Sequence, residues 1–269
     1  MRAEPPDAPI LVQVAEAVGT ITLNRPRVLN ALDLDMARAF LSALADLRDR
    51  DEVRVIVLRG SGKAFSAGGD VNEMLNDVRV GKDRAAYFRA PLRAFGEMVM
   101  AVRAVPKPVV AAVHGAVAGV AFNLMLACDL RIASESTRFT QAFVGIGLSP
   151  DGGGTWFLPR IVGHARACEM TMLPTTLDAR TAKEWGLINQ VAPDEQFERA
   201  LTDLASRLAE GPTSAMGRAK ALLRAAYDRD LASHIEAERL AQVENADSFD
   251  FEEGLAAFAE KRPARFIGR

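Results

Sequence analysis

One carboxylate in this chain stands inside a glycine cluster: Asp151, in Ser149-Pro150-Asp151-Gly152-Gly153-Gly154. Upstream, a turn at Gly119-Val120 opens a nearly wholly apolar stretch that ends at Ala127. Glycine lets a backbone aim its N–H groups at a ligand. A carboxylate near such donors is what proton transfer beside a carbonyl requires. The competing reading of Asp151 is an N-cap on a helix beginning in the glycine run. A further cluster, Ala64-Phe65-Ser66-Ala67-Gly68-Gly69-Asp70, lies between an apolar run and a helical pattern. It permits close backbone approach, and a plain turn accounts for it equally well. Asn123 is the polar exception in the apolar stretch. A buried amide needs partners, and these are either local backbone or a bound ligand.

Other chemistries find no support. His114, His164 and His234 sit in unrelated contexts, and neither Cys128 nor Cys168 completes a zinc-binding spacing, so no metal or other cofactor is expected. There is no phosphate-binding Gly-Lys-Ser/Thr, and neither Ser66 nor Ser149 has the frame of a hydrolase nucleophile. A net charge of -2 with scattered basic residues implies no nucleic-acid partner. No stretch approaches the ~18 apolar residues of a membrane span. The first residues lack a signal-peptide pattern, and two cysteines in apolar contexts fit a reducing compartment. A cytoplasmic protein without membrane contact is expected.

The elements that must position these residues alternate. Short strands are expected at 10–18 and 19–23, with the turn at Gly19, after a loose proline-rich arm through residue 9. Asp33 caps a helix over 34–49, and a β-branched strand covers 53–58. Helical patterns cover a region interrupted near Gly81 and then 84–104, where Pro91 should mark a boundary or kink. A strand at 109–113, a short helix at 119–127 and a strand at 130–133 follow. Another helix spans 165–172 and stops at Pro174. The order strand, turn, helix defines an α/β core. After Pro193 the texture becomes helical, with patterns at 195–210, 214–227, 231–246 and 251–261. The expected division is therefore a core over 1–194 and a helical region over 195–269. The late helices pack either on a partner subunit or on their own core.

The chain resembles the enoyl-CoA hydratase/isomerase (crotonase) superfamily over nearly its full length. The resemblance rests on Ile21 to Pro26 with Leu29-Asn30-Ala31-Leu32, on Ala64 to Asp70, on Pro108 to Asp129, on Ile146 to Arg160, and on Glu252-Glu253-Gly254 with Ala257-Phe258 and Glu260-Lys261-Arg262. It implies an α/β spiral of ββα units with a C-terminal helical assembly region, forming a homotrimer or a dimer of trimers. It implies an acyl-CoA thioester substrate, with coenzyme A entering only as part of that substrate. Two backbone N–H groups of the family's oxyanion hole fall at Gly69 and Val120. Arg27, Val28 and Leu29 fall near the nucleotide of coenzyme A. Ala64, Ser66, Ala67 and Asp70 fall along the rest of that ligand.

The two glutamates with which hydratases handle water fall at Asn123 and Phe143, and neither can exchange a proton at neutral pH. Asp151 falls where the isomerase branch, the ring-1,2-epoxyphenylacetyl-CoA isomerase group above all, has its aspartate. Asp151 with Asn123 is therefore the expected catalytic pair, and a double-bond shift or ring rearrangement in an unsaturated acyl-CoA the expected reaction. Burial against Phe143 and Trp156 should raise the Asp151 pKa, and a helix N-terminus should lower it. The alternatives are a hydratase, lyase or hydrolase on the same scaffold, or a non-catalytic acyl-CoA-binding subunit.

Overall fold

The computed structural model describes residues 8–81, 83–173 and 175–269. Most of the expected N-terminal arm, Lys82, and Pro174 as a helix stop lie outside these residues. The strands are β1 (Ile10–Ala15), β2 (Val18–Leu23), β3 (Val55–Gly60), β4 (Val109–Val113), β5 (Ala116–Ala118), β6 (Leu130–Ser134), β7 (Arg138–Thr140), β8 (Thr176–Asp178) and β9 (Gln190–Ala192). The helices are α1 (Leu34–Asp49), α2 (Val71–Arg79), α3 (Arg84–Ala104), α4 (Gly119–Ala127), α5 (Gly154–Val162), α6 (His164–Met172), α7 (Ala179–Glu184), α8 (Phe197–Ala209), α9 (Thr213–Ala225), α10 (Leu231–Ala246) and α11 (Phe249–Glu260). No helix among the described residues is long and apolar enough to cross a membrane.

Six strands form one sheet in the order β1-β2-β3-β4-β6-β9, and β5-β7-β8 form a second. The large sheet is parallel apart from the β1–β2 hairpin. Val55 to Leu58 of β3 and the whole of β4 are apolar and buried because both faces are covered. On one face, Ile56, Leu58, Val109 and Ala111 join α1, α3 and α4 in the main core. On the other, Val55, Val57, Val110 and Ile132 pack against Phe197, Leu201 and Ala205 of α8.

The chain repeats one move. It lays a strand in the large sheet, steps to a second layer, and returns through a helix. β4, β5 and α4 make one such ββα unit. β2 with Leu32 and α1 make another. β3 with Ser66 to Gly69 and α2 make a third. The bridges Leu32–Gly69 and Ser66–Val117 continue the small sheet through segments too short to count as strands. This is the spiral of ββα units implied by the resemblance.

The first hairpin turns at Glu16 and Ala17, both at positive φ, and not at Gly19. Gly19 lies within β2 because a Cβ there would stand 2.9 Å from Leu47 Cδ2 and 3.0 Å from Val53 Cγ1. It lets α1 press on the strand. Pro91 neither ends nor divides α3, which runs through it. The change of texture near residue 195 is no gap in packing, since α8 covers the sheet. Behind it, the buried Lys220 of α9 pairs with Asp129 at 2.8 Å and donates to the carbonyls of Val102 and Lys107. By contrast α10 has no buried residue, and Leu231, Ile235, Leu240, Leu255 and Phe258 along α10 and α11 stand exposed.

Asn30 ties the second layer together. It is fully buried and left-handed, at φ 54, a conformation asparagine tolerates better than most residues. Its Nδ2 donates to the carbonyls of Ser61 and Ala64, both at 2.8 Å, and of Phe65 at 3.2 Å, and its Oδ1 accepts the Arg25 N–H at 2.8 Å. Asn30→Ala strands buried carbonyls and puts a Cβ residue without local hydrogen bonding at positive φ. It should lower unfolding stability by about 3 kcal/mol, read from the midpoint of urea denaturation. A midpoint unchanged from wild type would show that water or neighbours replace the asparagine.

Candidate active site

Arg25 fixes the helix starts that frame the site. Its guanidinium pairs with Asp33 at 2.9 Å and with Asp70 at 3.1 Å. Asp33 caps α1 by accepting the Met36 N–H. Asp70 caps α2 by accepting the N–H groups of Asn72 and Glu73. One cation thus neutralises both N-caps and holds the two helices in register.

Beside them opens a cavity of about 290 Å³. Its wall is chiefly apolar: Phe88, Leu92 and Phe95 of α3, Met74 of α2, and Phe143 and Leu148 from the segment after β7. Ala67, Gly69, Gly119, Val120 and Asp151 share that wall.

Gly69 and Val120 reach it by backbone logic. Leu32 donates its N–H to the Gly68 carbonyl at 2.7 Å, and Asp70 donates to the Leu32 carbonyl at 3.0 Å. In a parallel ladder the residue between such partners points its own N–H and C=O the other way. The Gly69 groups therefore face away from Leu32, towards β5 and α4. Gly68, at φ 93, makes the approach possible, since a Cβ there would lie 2.9 Å from the Ala118 carbonyl oxygen. At α4 the N-cap Ala118 provides no side-chain acceptor, and the first turn holds no acid. The N–H groups of Gly119 and Val120 sit at the positive end of the helix dipole without a cap. The Val120 side chain is accommodated at Gly152, where a Cβ would come within 3.2 Å of its Cγ2.

Asp151 faces the same cavity from the glycine loop. It does not cap α5: the N-cap is Gly153, at φ 80, with no side-chain cap bond. Its Oδ1 is buried without a hydrogen-bond partner. Burial pushes its pKa up to about 6, and a hydrogen bond from its own backbone N–H opposes the shift. Burial thus outweighs any helix effect. Phe143 contributes to the wall as expected, but Trp156 does not. Trp156 is 36% exposed and stacks under Arg160, 4.1 Å from its ring centre.

Asn123 stands behind the wall. It is fully buried, its Nδ2 donates to the Asp151 carbonyl at 2.8 Å, and its Oδ1 accepts from Gln141 Nε2 at 2.7 Å. Neither of its two expected surroundings is found: its partners are a carbonyl 28 positions along the chain and the Gln141 side chain, not local backbone, and Asn123 does not line the cavity. Among the residues expected along coenzyme A, Ala67 lines the cavity. Ala64 and Ser66 are buried behind it, with the Ser66 hydroxyl donating to the Asn30 carbonyl and accepting the Gly68 N–H. Asp70 is correspondingly a cap and an ion-pair partner, 6% exposed, and not a side chain open to a ligand. Arg27, Val28 and Leu29 form a short turn outside the cavity, where Arg27 and Leu29 are exposed. Sequence reasoning missed Gln141 and the bridging role of Arg25. A second amide flanking an aromatic run, close to a lone buried asparagine, was the available sign of the first.

Fold and wall together define an α/β spiral enclosing a chiefly apolar pocket, with the buried carboxyl of Asp151 set near two outward-facing backbone segments. A sequence model of the family "Enoyl-CoA hydratase/isomerase" matches residues 13–269, and the chain belongs to that family. It is 41% identical to a Rhodobacter capsulatus protein named "Probable enoyl-CoA hydratase", over 97% of this chain and 98% of that one. It is 36% identical to the 1,2-epoxyphenylacetyl-CoA isomerase of Escherichia coli over the same shares of each chain. The crystal structure of an enoyl-CoA hydratase from Bacillus anthracis superposes with a TM-score of 0.90 at 32% identity, covering 97% of this chain and 100% of that one. The family acts on acyl-CoA thioesters by hydration or isomerisation.

The raised pKa carries a stability consequence. Between 3.8 and about 6, the folded protein holds the Asp151 proton more tightly than the unfolded chain. Stability from this group therefore falls as pH rises through that window, and above it the buried charge costs on the order of 1–3 kcal/mol. Asp151→Asn should melt higher than wild type above pH 7 and close to it near pH 4, as scanning calorimetry would record. A lower melting temperature above pH 7 would mean that the ionised carboxylate stabilises the fold.

Proposed function

We propose that this protein is an acyl-CoA isomerase that uses Asp151 as its single acid–base group. The observation that carries the reading is the ionisation of the wall: Asp151 is buried there with a pKa near neutrality, while the positions of the two hydratase glutamates hold Asn123 and Phe143. The thioester carbonyl accepts hydrogen bonds from the N–H groups of Gly69 and Val120. Both bonds strengthen as enolate charge develops, so they favour the transition state over the bound substrate. Asp151 takes a proton from the carbon beside the carbonyl, and the electron pair moves into the thioester as an enolate. The same carboxyl returns the proton two carbons further along, and the double bond moves into conjugation. The apolar lining selects an acyl group without charges or hydroxyls. Arg27, exposed at the rim, meets the phosphates of coenzyme A. The likeness to the epoxyphenylacetyl-CoA isomerase supports this reading, and the likeness to enoyl-CoA hydratases keeps hydration as its rival.

An acyl-CoA panel in deuterated water, followed by mass and product, separates the two. Isomerisation with solvent deuterium at carbon and no added oxygen is expected. Asp151→Asn should lower that rate by about 10²–10⁴, and kcat/KM of the wild type should fall as pH drops through about 6, where the free carboxylate becomes protonated. Net hydration by the wild type, with Asp151→Asn harmless, overturns the isomerase reading.

The exposed apolar faces of α10 and α11 cover one another in a homotrimer or a dimer of trimers. Leu240→Glu with Phe258→Glu places two charges on those faces without touching the core. Native mass spectrometry should find the double variant reduced to a folded monomer. An oligomer of unchanged mass would move the interface elsewhere.

A further inference from the structure

Val120 at the start of α4 lines the cavity, and the single polar side chain of that helix, Asn123, meets the wall residue Asp151 at its backbone carbonyl. Asn123 is fully buried and Gln141 is 2% exposed. Gln141 Nε2 donates to Asn123 Oδ1, and Asn123 Nδ2 donates to the Asp151 carbonyl. That carbonyl also accepts the Gly154 N–H at 3.1 Å. The orientation of both amides is forced. Nδ2 must face the Asp151 carbonyl, so Oδ1 faces Gln141, and only the NH₂ end of Gln141 can meet it. Turning the Gln141 amide over would set two acceptors against each other. Gln141 Oε1 is consequently buried without a partner. A buried orphan acceptor costs stability, but an apolar side chain there would only pass the deficit to Asn123 Oδ1, so Gln141 is the donor that fixes the Asn123 amide.

The loop is fitted to this two-amide brace at Gly152 and Gly154. A Cβ at Gly154 would lie 2.4 Å from Asn123 Oδ1, and one at Gly152 would touch Val120 and Asn123 together. Val120 and Asn123 are three residues apart on one helix, about 4.5 Å along its axis. One rigid element therefore presents the N–H of Val120 and anchors the backbone of Asp151.

We propose that Asn123 and Gln141 are positioning residues, a chain of two amides that sets the Asp151 carboxyl in register with the Val120 N–H and holds it away from water. The proposal rests on the reading of Asp151 as the base. The other titratable side chains on the cavity wall are Asp33, paired with Arg25, and Glu73 of α2. Among the described residues, the wall residues from α3 and α4 bring none, and the segment after β7 brings only Asp151 itself.

The test is Gln141→Met, which keeps length and volume and removes the donor. If the methionine is not accommodated, Gln141→Asn, one methylene shorter, withdraws the same donor. The first measurement needs no substrate: the Asp151 carboxyl is followed by carbon-13 NMR across pH, assigned by its loss in Asp151→Asn. Its midpoint should fall by half a pH unit or more towards the ordinary carboxylate range. The second uses trans-3-decenoyl-CoA as probe. There kcat should fall about tenfold while KM stays within threefold, a split that a general loss of packing would not produce. A folded Gln141 variant with the wild-type midpoint and wild-type kcat overturns the inference. Asp151→Asn separates the two claims. If it is inactive while the Gln141 variants match wild type, only the brace is wrong. If Asp151→Asn keeps full activity, the base assignment fails and the brace falls with it.

Discussion

Gly68 and Gly119 stand backbone against backbone, with no side chain between them, and the site exists because they do. A Cβ on Gly68 would enter the Ala118 carbonyl, and one on Gly119 would come within 3.6 Å of Gly68 Cα. Everything nearby maintains that contact. The ladder from Leu32 to Gly69 turns the Gly69 N–H towards α4. The bridge from Ser66 to Val117 carries the same strand alongside β5. Asn30 gathers the carbonyls of the preceding loop, and Arg25 locks the two capping aspartates. Loosening any of these would leave the fold recognisable and spread apart the groups that meet in the cavity.

The electrostatic character of the site follows from what surrounds Asp151. The cavity wall it shares is chiefly apolar, and its Oδ1 is buried without a hydrogen-bond partner. In such surroundings a carboxyl keeps its proton more readily, and its two protonation states come close in free energy near neutral pH. A group so balanced can both take and return a proton. The buried cluster behind the sheet behaves otherwise. Lys220 and Asp129 lie within 2.8 Å of each other and fasten α9, with no opening to a cavity.

Much of this was legible in the sequence where local rules coincide with tertiary demands. The bounds of α1, α3, α4 and α10, the Asp33 cap, and the strand from Val109 follow from periodicity, capping and β-branched runs, while the strand expected over 53–58 lies two residues later, at Val55–Gly60. The turn at Glu16-Ala17 was hidden because neither residue favours positive φ, whereas Gly19 does and is used for packing. The texture change near residue 195 misleads about packing, because amphipathic helices look alike whether they cover their own sheet or another chain.

At the site, the glycine clusters and Asp151 were visible as residue types. Their convergence was not, because it depends on which way a backbone N–H points within a ladder. Asn123 was conspicuous as a lone amide, but its partner Gln141 lies eighteen positions away, and no local rule pairs them. For a related reason the buried roles of the Asp70 and Ser66 side chains, as a helix cap and as a partner of Asn30 and Gly68, were not visible. A polar residue in a functional motif is easily read as touching the ligand when it is holding the segment that does.

The uncapped start of α4 also links occupancy to durability. A helix that lacks an N-cap side chain forgoes about 1 kcal/mol, and its first N–H groups remain short of acceptors. An oxygen bearing negative charge, seated at Val120, would complete the helix as a capping residue would. The empty protein is then the less finished one. Ligand held at about a hundred times its dissociation constant adds about 2.7 kcal/mol to the folded state by mass action. A ligand whose oxygen completes that first turn would therefore be read as a higher melting temperature as well as an occupied pocket.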